Sequence, residues 1–166
     1  MITALSIRSF LLIERLDIEA ADGFTALTGE TGAGKSIIVD ALSILLGDRT
    51  SGDIVRQGSD RAEIQAGFDL SDNPRAAAWL DTQLLSDETG ECSLRRLVFK
   101  SQSSRGFING RPVPIHSLQE LGDLLIDIHS QHEHQALLKK DAHRQLLDNF
   151  ADARDLANSV RPTSTF

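Results

Sequence analysis

The stretch Phe24-Thr25-Ala26-Leu27-Thr28-Gly29-Glu30-Thr31-Gly32-Ala33-Gly34-Lys35-Ser36 constrains this chain more than any other. Gly29, Gly34, Lys35 and Ser36 occupy the fixed positions of G-x-x-x-x-G-K-[ST], the phosphate-binding loop pattern. A polyphosphate needs several N–H donors converging on it, and only a chain nearly free of Cβ atoms wraps that closely. Gly29, Gly32 and Gly34 supply that freedom, with Glu30, Thr31 and Ala33 contributing backbone donors. Lys35 would place its ammonium between the terminal phosphates, and Ser36 would offer a hydroxyl to Mg²⁺. The helix that follows, starting near Ile37, would turn its positive dipole end toward the anion. Context supports the motif. Phe24 to Leu27 is an apolar run suited to a short buried strand, and Ile37, Ile38, Ala41, Leu42, Leu45 and Leu46 recur at helical spacing. Gly47 stands where a helix C-cap belongs.

A chain of 166 residues suits one domain. Its net charge of −7 argues against a surface that coats nucleic acid everywhere, though not against a local basic patch. The single Cys92 can form no internal disulfide, which fits a reducing compartment. No apolar stretch approaches the ~18 residues of a membrane span, and the N-terminus lacks a signal-peptide pattern, so the sequence reads as cytoplasmic with no membrane partner.

Ahead of the glycine loop, Ile2 to Ile7 and then Leu16, Ile18 and Ala20 predict two antiparallel strands, with Leu5 and Ile7 on one face. Beyond the first helix, residues 48–58 form a polar loop carrying Arg49 and Arg56. Ala62, Ile64, Ala66 and Phe68 alternate with polar residues or glycine as a strand requires. Residues 74–85 predict a helix with Asp72 or Asn73 as N-cap, Pro74 at its first position, and Ala77, Trp79, Leu80 and Leu84 as its apolar content. Residues 92–99 and 106–113 form the clearest β pair, and Asn109-Gly110 predicts a tight type I′ turn inside the second. Ser117 with Glu120 makes a capping box ahead of Leu118, Leu121, Leu125 and Ile128. Asp141 can cap a last helix running almost to the C-terminus.

A hydrolytic site also needs a carboxylate on Mg²⁺, usually an Asp ending an apolar strand. Only Leu124-Leu125-Ile126-Asp127 imitates one, and it continues the helix from Ser117. No guanine-recognition signature or L-S-G-G-like segment occurs. His129, His132, His134 and His143 invite a zinc reading, but the spacing fits no common ligand set, and a polar loop accounts for them. Between Cys92 and Gln119 stand Arg95, Arg96, Lys100, Arg105 and Arg111 and no acidic residue. That reversal of sign is either a solvated strand face or a contact for DNA phosphates or nucleotide.

The opening I-T-A-L-S-I-R-S-F, the loop T-G-E-T-G-A-G-K-S, the hairpin S-R-G-F-I-N-G-R-P-V and the run I-H-S-Q-H-E-H-Q together resemble the N-terminal part of the RecN family of bacterial DNA repair proteins. The resemblance runs from Met1 to about Asn158. That family is related to the structural-maintenance-of-chromosomes (SMC) ATPases and has an ABC-type head. The resemblance implies an α/β fold: the N-terminal lobe of an SMC/ABC-type P-loop NTPase head, with an antiparallel β subdomain beside the P-loop strand and helix. Residues 1–150 would be the first half of the head, and 151–166 the start of a coiled-coil arm or a truncated tail. It implies ATP and Mg²⁺ as cofactors, and DNA, the C-terminal half of the same head and a second head as partners. The setting would be double-strand-break repair and recombination at the bacterial nucleoid. Gln131 matches the glutamine that approaches Mg²⁺ and the attacking water. Arg56 matches an arginine that lies near nucleotide or DNA in related heads. Related heads often add a basic residue after the first strand, but Phe10 to Ile13 is apolar here and leaves only Arg8 nearby. Such a half-head would bind nucleotide without significant hydrolysis. The competing reading is a self-sufficient P-loop kinase or phosphotransferase using Asp127 as metal ligand, which turnover by this chain alone would favour.

Overall fold

The structure, a computed structural model, describes residues 1–21, 23, 25, 26, 28, 35–87, 89–126 and 128, the side chain of residue 35 excepted. The chain divides into two compact units, Met1–Ile128 and His129–Phe166, and every described residue belongs to the first. In chain order the elements are β1 (Ile2–Phe10), β2 (Ile13–Glu19), α1 (Lys35–Leu45), a 3-10 turn (Gly52–Ile54), β3 (Arg61–Asp69), α2 (Pro74–Thr82), β4 (Glu91–Phe99), β5 (Arg105–Ile108), β6 (Arg111–Val113) and α3 (Ile115–Leu125). The strands form one sheet in the order β2-β1-β3-β4-β5-β6, antiparallel at every described pairing.

Period-two alternation decides which face of that sheet is dry. Ala62, Ile64, Ala66 and Phe68 of β3 and Cys92, Leu94 and Val98 of β4 all point to the core. Helices cover that face, α1 over β3 and β4 and α3 over β5, with α2 beside α3. Each fully buried Leu, Ile or Phe there contributes about 1.5–3 kcal/mol relative to exposure. Burial also pushes the Cys92 thiol up to about 12, so it remains protonated and acts as a small apolar side chain. On β1 the register against β3 shifts between Ile2 and Ala4, and the alternation breaks again near the strand's end. Leu5 and Ile7 are buried, and Ser9 should follow them inward. Instead Ser9 takes a left-handed conformation (φ 49°), and Phe10 becomes the fully buried residue.

α1 forms as its apolar spacing demands, with Ala41, Ile44 and Leu45 buried. It ends in a Schellman motif: the Gly47 N–H donates to the Ile44 carbonyl (3.1 Å) and the Asp48 N–H to that of Ser43 (3.1 Å). Gly47 has φ 111°, and a Cβ there would sit 2.8 Å from the Gln119 Cβ, so glycine is required on both counts. The Asn109-Gly110 turn forms between β5 and β6 with φ 48° and 74°, both positive as a type I′ turn needs.

Two expectations need correction. The helix read over residues 74–85 stops at Thr82, because Leu84 adopts φ 58° and is 77% exposed. Its N–H bonds the Asp81 carbonyl (3.0 Å) while that of Leu85 bonds the Leu80 carbonyl (2.9 Å), so a leucine fills the left-handed cap position that glycine usually takes. Of the two proposed N-caps it is Asn73 that accepts the Ala76 N–H (3.1 Å), and its amide also donates to the Leu124 carbonyl (2.7 Å), tying α2 to the end of α3. α3 begins at Ile115 with Pro114 as N-cap, so Ser117 lies within its first turn and caps nothing. Only Pro114 separates β6 from α3, and the helix must start at once to bury Leu118 and Leu121. The strand read over residues 24–27 falls largely outside the described residues. Thr25 and Ala26 are exposed, while Phe24 and Leu27 lie outside the described residues.

Candidate nucleotide site

Residues 29–34, the side chain of Lys35, Asp127, Gln131, the histidines from 129 onward and the last helix lie outside the described residues. What is described is the platform. Lys35 opens α1, Ser36 is exposed in its first turn, and Ile37 is half-buried. The glycine-rich segment therefore runs directly into a helix N-terminus, where unpaired N–H groups and the macrodipole favour an anion. Residues present here fit a nucleotide triphosphate and its Mg²⁺: a helix start, a lysine and an exposed hydroxyl follow one another.

Ile37 also lines an open cleft of about 780 Å³, together with Leu11, Leu12, Val55, Arg56 and Lys100. Leu11 and Leu12 are the turn between β1 and β2. A tip of two leucines is unusual, since turns favour Gly, Asn, Asp or Pro. Leu11 has φ 48° and Leu12 is 73% exposed. The loop of residues 52–59 grips this turn. Leu11 N–H donates to the Ile54 carbonyl (2.8 Å), Arg56 N–H to that of Ser9 (2.9 Å), and Phe10 bridges Val55. The Arg56 guanidinium donates to the Leu12 carbonyl (2.7 Å) and stands 3.6 Å from Glu14.

The five basic residues of the hairpin region do not share a face. Arg95 and Arg105 lie on the side of the sheet away from the helices, stacked over Phe107 (4.4 Å) and Phe99 (5.3 Å), and Arg95 stands 3.6 Å from Glu63. Arg96 points the other way and is 3% exposed. Its guanidinium donates to the Ile44 carbonyl, to the Asp48 carbonyl (2.7 Å) and to Ser104 Oγ (3.3 Å). Burial pulls Arg96 below its ordinary value and the nearby Asp48 carboxylate opposes that, so it stays charged at neutral pH and binds the negative end of α1. Arg111 sits at the sheet edge and donates to the Leu84 carbonyl. Lys100 alone of the five reaches the cleft. The five therefore form no common patch.

The metal-ligand imitation also dissolves. Leu124 and Leu125 belong to α3 and Ile126 is its extended C-cap, so no strand leads to position 127. Among the described residues no cluster of His, Cys, Asp and Glu could hold a metal ion, and no helix is long and apolar enough to cross a membrane.

An antiparallel sheet backed by a helix that follows G-x-x-x-x-G-K-[ST] defines a P-loop NTPase. The family described as the AAA domain matches residues 4–159, and this chain belongs to it. Within that class its relatives are DNA repair proteins of the RecN type. The protein from Vibrio cholerae is 46% identical over 97% of this chain and 29% of its own length. That from Halalkalibacterium halodurans is 47% identical over 91% and 27%. The chain is thus a RecN homologue spanning less than a third of those relatives. Among solved structures, an SMC ATPase studied for ATP-driven dimerization and DNA stimulated activation superposes with a TM-score of 0.63 at 22% identity, over 90% of this chain and 98% of that one. That likeness establishes the fold alone.

Proposed function

We propose that this chain is the ATP- and Mg²⁺-binding first half of a RecN-like head, contributing to DNA double-strand-break repair and recombination in the bacterial cytoplasm and nucleoid. The observation that supports this most directly is α1 opening at Lys35 and Ser36 immediately after the glycine-rich segment. Backbone N–H groups of Gly29, Glu30, Thr31, Gly32, Ala33, Gly34 and Ile37 would receive the phosphate oxygens. Lys35 would neutralise their charge, and the Ser36 hydroxyl with Gln131 would hold the metal. When bound, Mg²⁺ supplies charge neutralisation at the terminal phosphates. Lobe and ligand together leave the site short of a second carboxylate and a general base, which in this reading come from the C-terminal half of the same head. A second head and DNA would then be its further partners.

Calorimetric titration of ATP–Mg²⁺ into the wild-type chain and Lys35→Ala tests the assignment. Binding by the wild type should weaken at least tenfold in the variant, as loss of a charge-assisted contact worth about 1.5–3 kcal/mol requires. Equal affinities would reject it.

A further inference from the structure

The resemblance to related heads implies that Arg56 lies near nucleotide or DNA. Its geometry defines what the side chain itself touches. One terminal nitrogen of the guanidinium is spent on the Leu12 carbonyl (2.7 Å) and the other faces Glu14 (3.6 Å), while its backbone N–H is bonded to Ser9 (2.9 Å). Around it the β1–β2 turn is over-determined: left-handed Ser9 and Leu11, the Phe10–Val55 bridge, the Leu11 to Ile54 hydrogen bond, and the Ser59 hydroxyl on that of Ser9 (3.1 Å). Backbone held in sparsely populated conformations persists only where surroundings enforce it, and it concentrates where a ligand must be met by a preset surface. This turn borders the cleft that starts at Ile37, in the first turn of α1. A nucleotide whose phosphates sit at the start of α1 extends its base and ribose a short distance from that helix. The cleft's apolar walls, Leu11, Leu12, Ile37 and Val55, suit a flat heterocycle, and its volume lies within the range of small-ligand sites.

We infer that Arg56 is a positioning residue for nucleotide binding. It acts through the carbonyl of Leu12 to hold the leucine turn as a rigid wall against the base half of the ligand, and it does not contact the phosphates. The inference rests on the nucleotide reading above. Without the clamp, the turn must be ordered when the ligand arrives, at about 0.5–1.5 kcal/mol for each side chain immobilised, or roughly two- to tenfold in affinity.

The test compares ATP–Mg²⁺ with inorganic tripolyphosphate–Mg²⁺, which offers phosphates and no base, by calorimetry on the full chain. Arg56→Gln and Leu12→Ser should each weaken ATP about two- to tenfold and leave tripolyphosphate unchanged. Arg56→Lys, which can still donate to the Leu12 carbonyl, should recover part of the loss. Leu12→Ser keeps the carbonyl and alters an exposed side chain, so it remains informative if the arginine variants do not fold. Equal loss of both ligands in Arg56→Gln would mean a direct phosphate contact and overturn the inference. So would ATP affinity unchanged in both Arg56→Gln and Leu12→Ser. Failure of the underlying nucleotide reading looks different: Lys35→Ala would then leave both ligands unaffected.

Discussion

Replacing Arg96 with methionine isolates what the buried guanidinium contributes, because the two side chains have similar length. Arg96 satisfies the carbonyls of Ile44 and Asp48 at the C-terminal end of α1. Gly47 also donates to the Ile44 carbonyl, so that group keeps one partner when the arginine is lost. Asp48 is an exposed residue whose carbonyl can turn to water, so the loss is mainly that of hydrogen bonds to a charged donor, each worth about 1.5–3 kcal/mol. Methionine recovers part of this through apolar contact, and it removes the buried Nε that has no partner. The net destabilisation works out at about 3 kcal/mol from these ranges, which lowers the melting temperature by roughly 6–12 °C in a chain of this size. Urea unfolding followed by circular dichroism measures it, with Arg96→Lys expected to regain about half, since an ammonium is a compact point donor without the guanidinium fork. If Arg96→Met unfolds within about 0.5 kcal/mol of wild type, as ordinary surface substitutions do, the arginine does not anchor α1.

Four further outcomes follow from the same geometry. Leu84→Gly should stabilise by about 0.5–1 kcal/mol, because the left-handed penalty for leucine of about 1–2 kcal/mol exceeds the chain-entropy cost of glycine, and thermal melting reads it directly. Asn73→Ala should cost about 1–2 kcal/mol in the same assay through loss of the α2 cap and of the link to Leu124. Hydrogen bonds from Arg8 and then Arg15 hold the Asp17 carboxyl well below the usual carboxylate range, so its stabilisation is present above the unfolded value of about 4 and is lost as pH falls below that; urea midpoints between pH 6 and pH 2 should drop more for wild type than for Asp17→Asn. ATP turnover by the chain alone should be negligible, and a phosphate-release assay showing robust turnover would return attention to a self-contained catalytic site.

Much of the fold is legible in the sequence because alternation, glycine placement and the Asn-Gly turn each carry a local physical demand. β3 is visible in A-x-I-x-A-x-F, and the end of α1 in its glycine. The lost readings involve residues whose roles depend on distant partners. Charge alone groups Arg96 with its basic neighbours, but Cys92, Leu94 and Val98 put position 96 on the core side of β4. That parity was the available signal, and it outweighs charge when helix carbonyls lie within reach. The leucine turn was noticed only as an apolar gap where a basic residue was expected. Its left-handed backbone comes from contacts with residues 54–59, which are remote in sequence. The start of α3 was misplaced because Ser117 and Glu120 matched a capping box while Pro114 already committed the chain to turn.

The strand order has a kinetic consequence. β1 and β2 are a hairpin, and β3 to β6 pair in sequence as a meander, so both ribbons can form from contacts close along the chain. They meet only where β1 pairs with β3, matching Leu5 with Ala66 and Ile7 with Ile64. Closing that seam carries β2, the glycine-rich segment and α1 inside one long loop, whose closure entropy must be met before the contacts reward it. The seam is therefore expected to be the slow step of folding. Truncations at Leu5, Ile7 and Ile64 should slow refolding, whereas changes in the β5–β6 hairpin should mainly quicken unfolding. An anion that orders the start of α1 shortens the free part of the loop, so phosphate ligands should speed the chain's folding as well as stabilise its product.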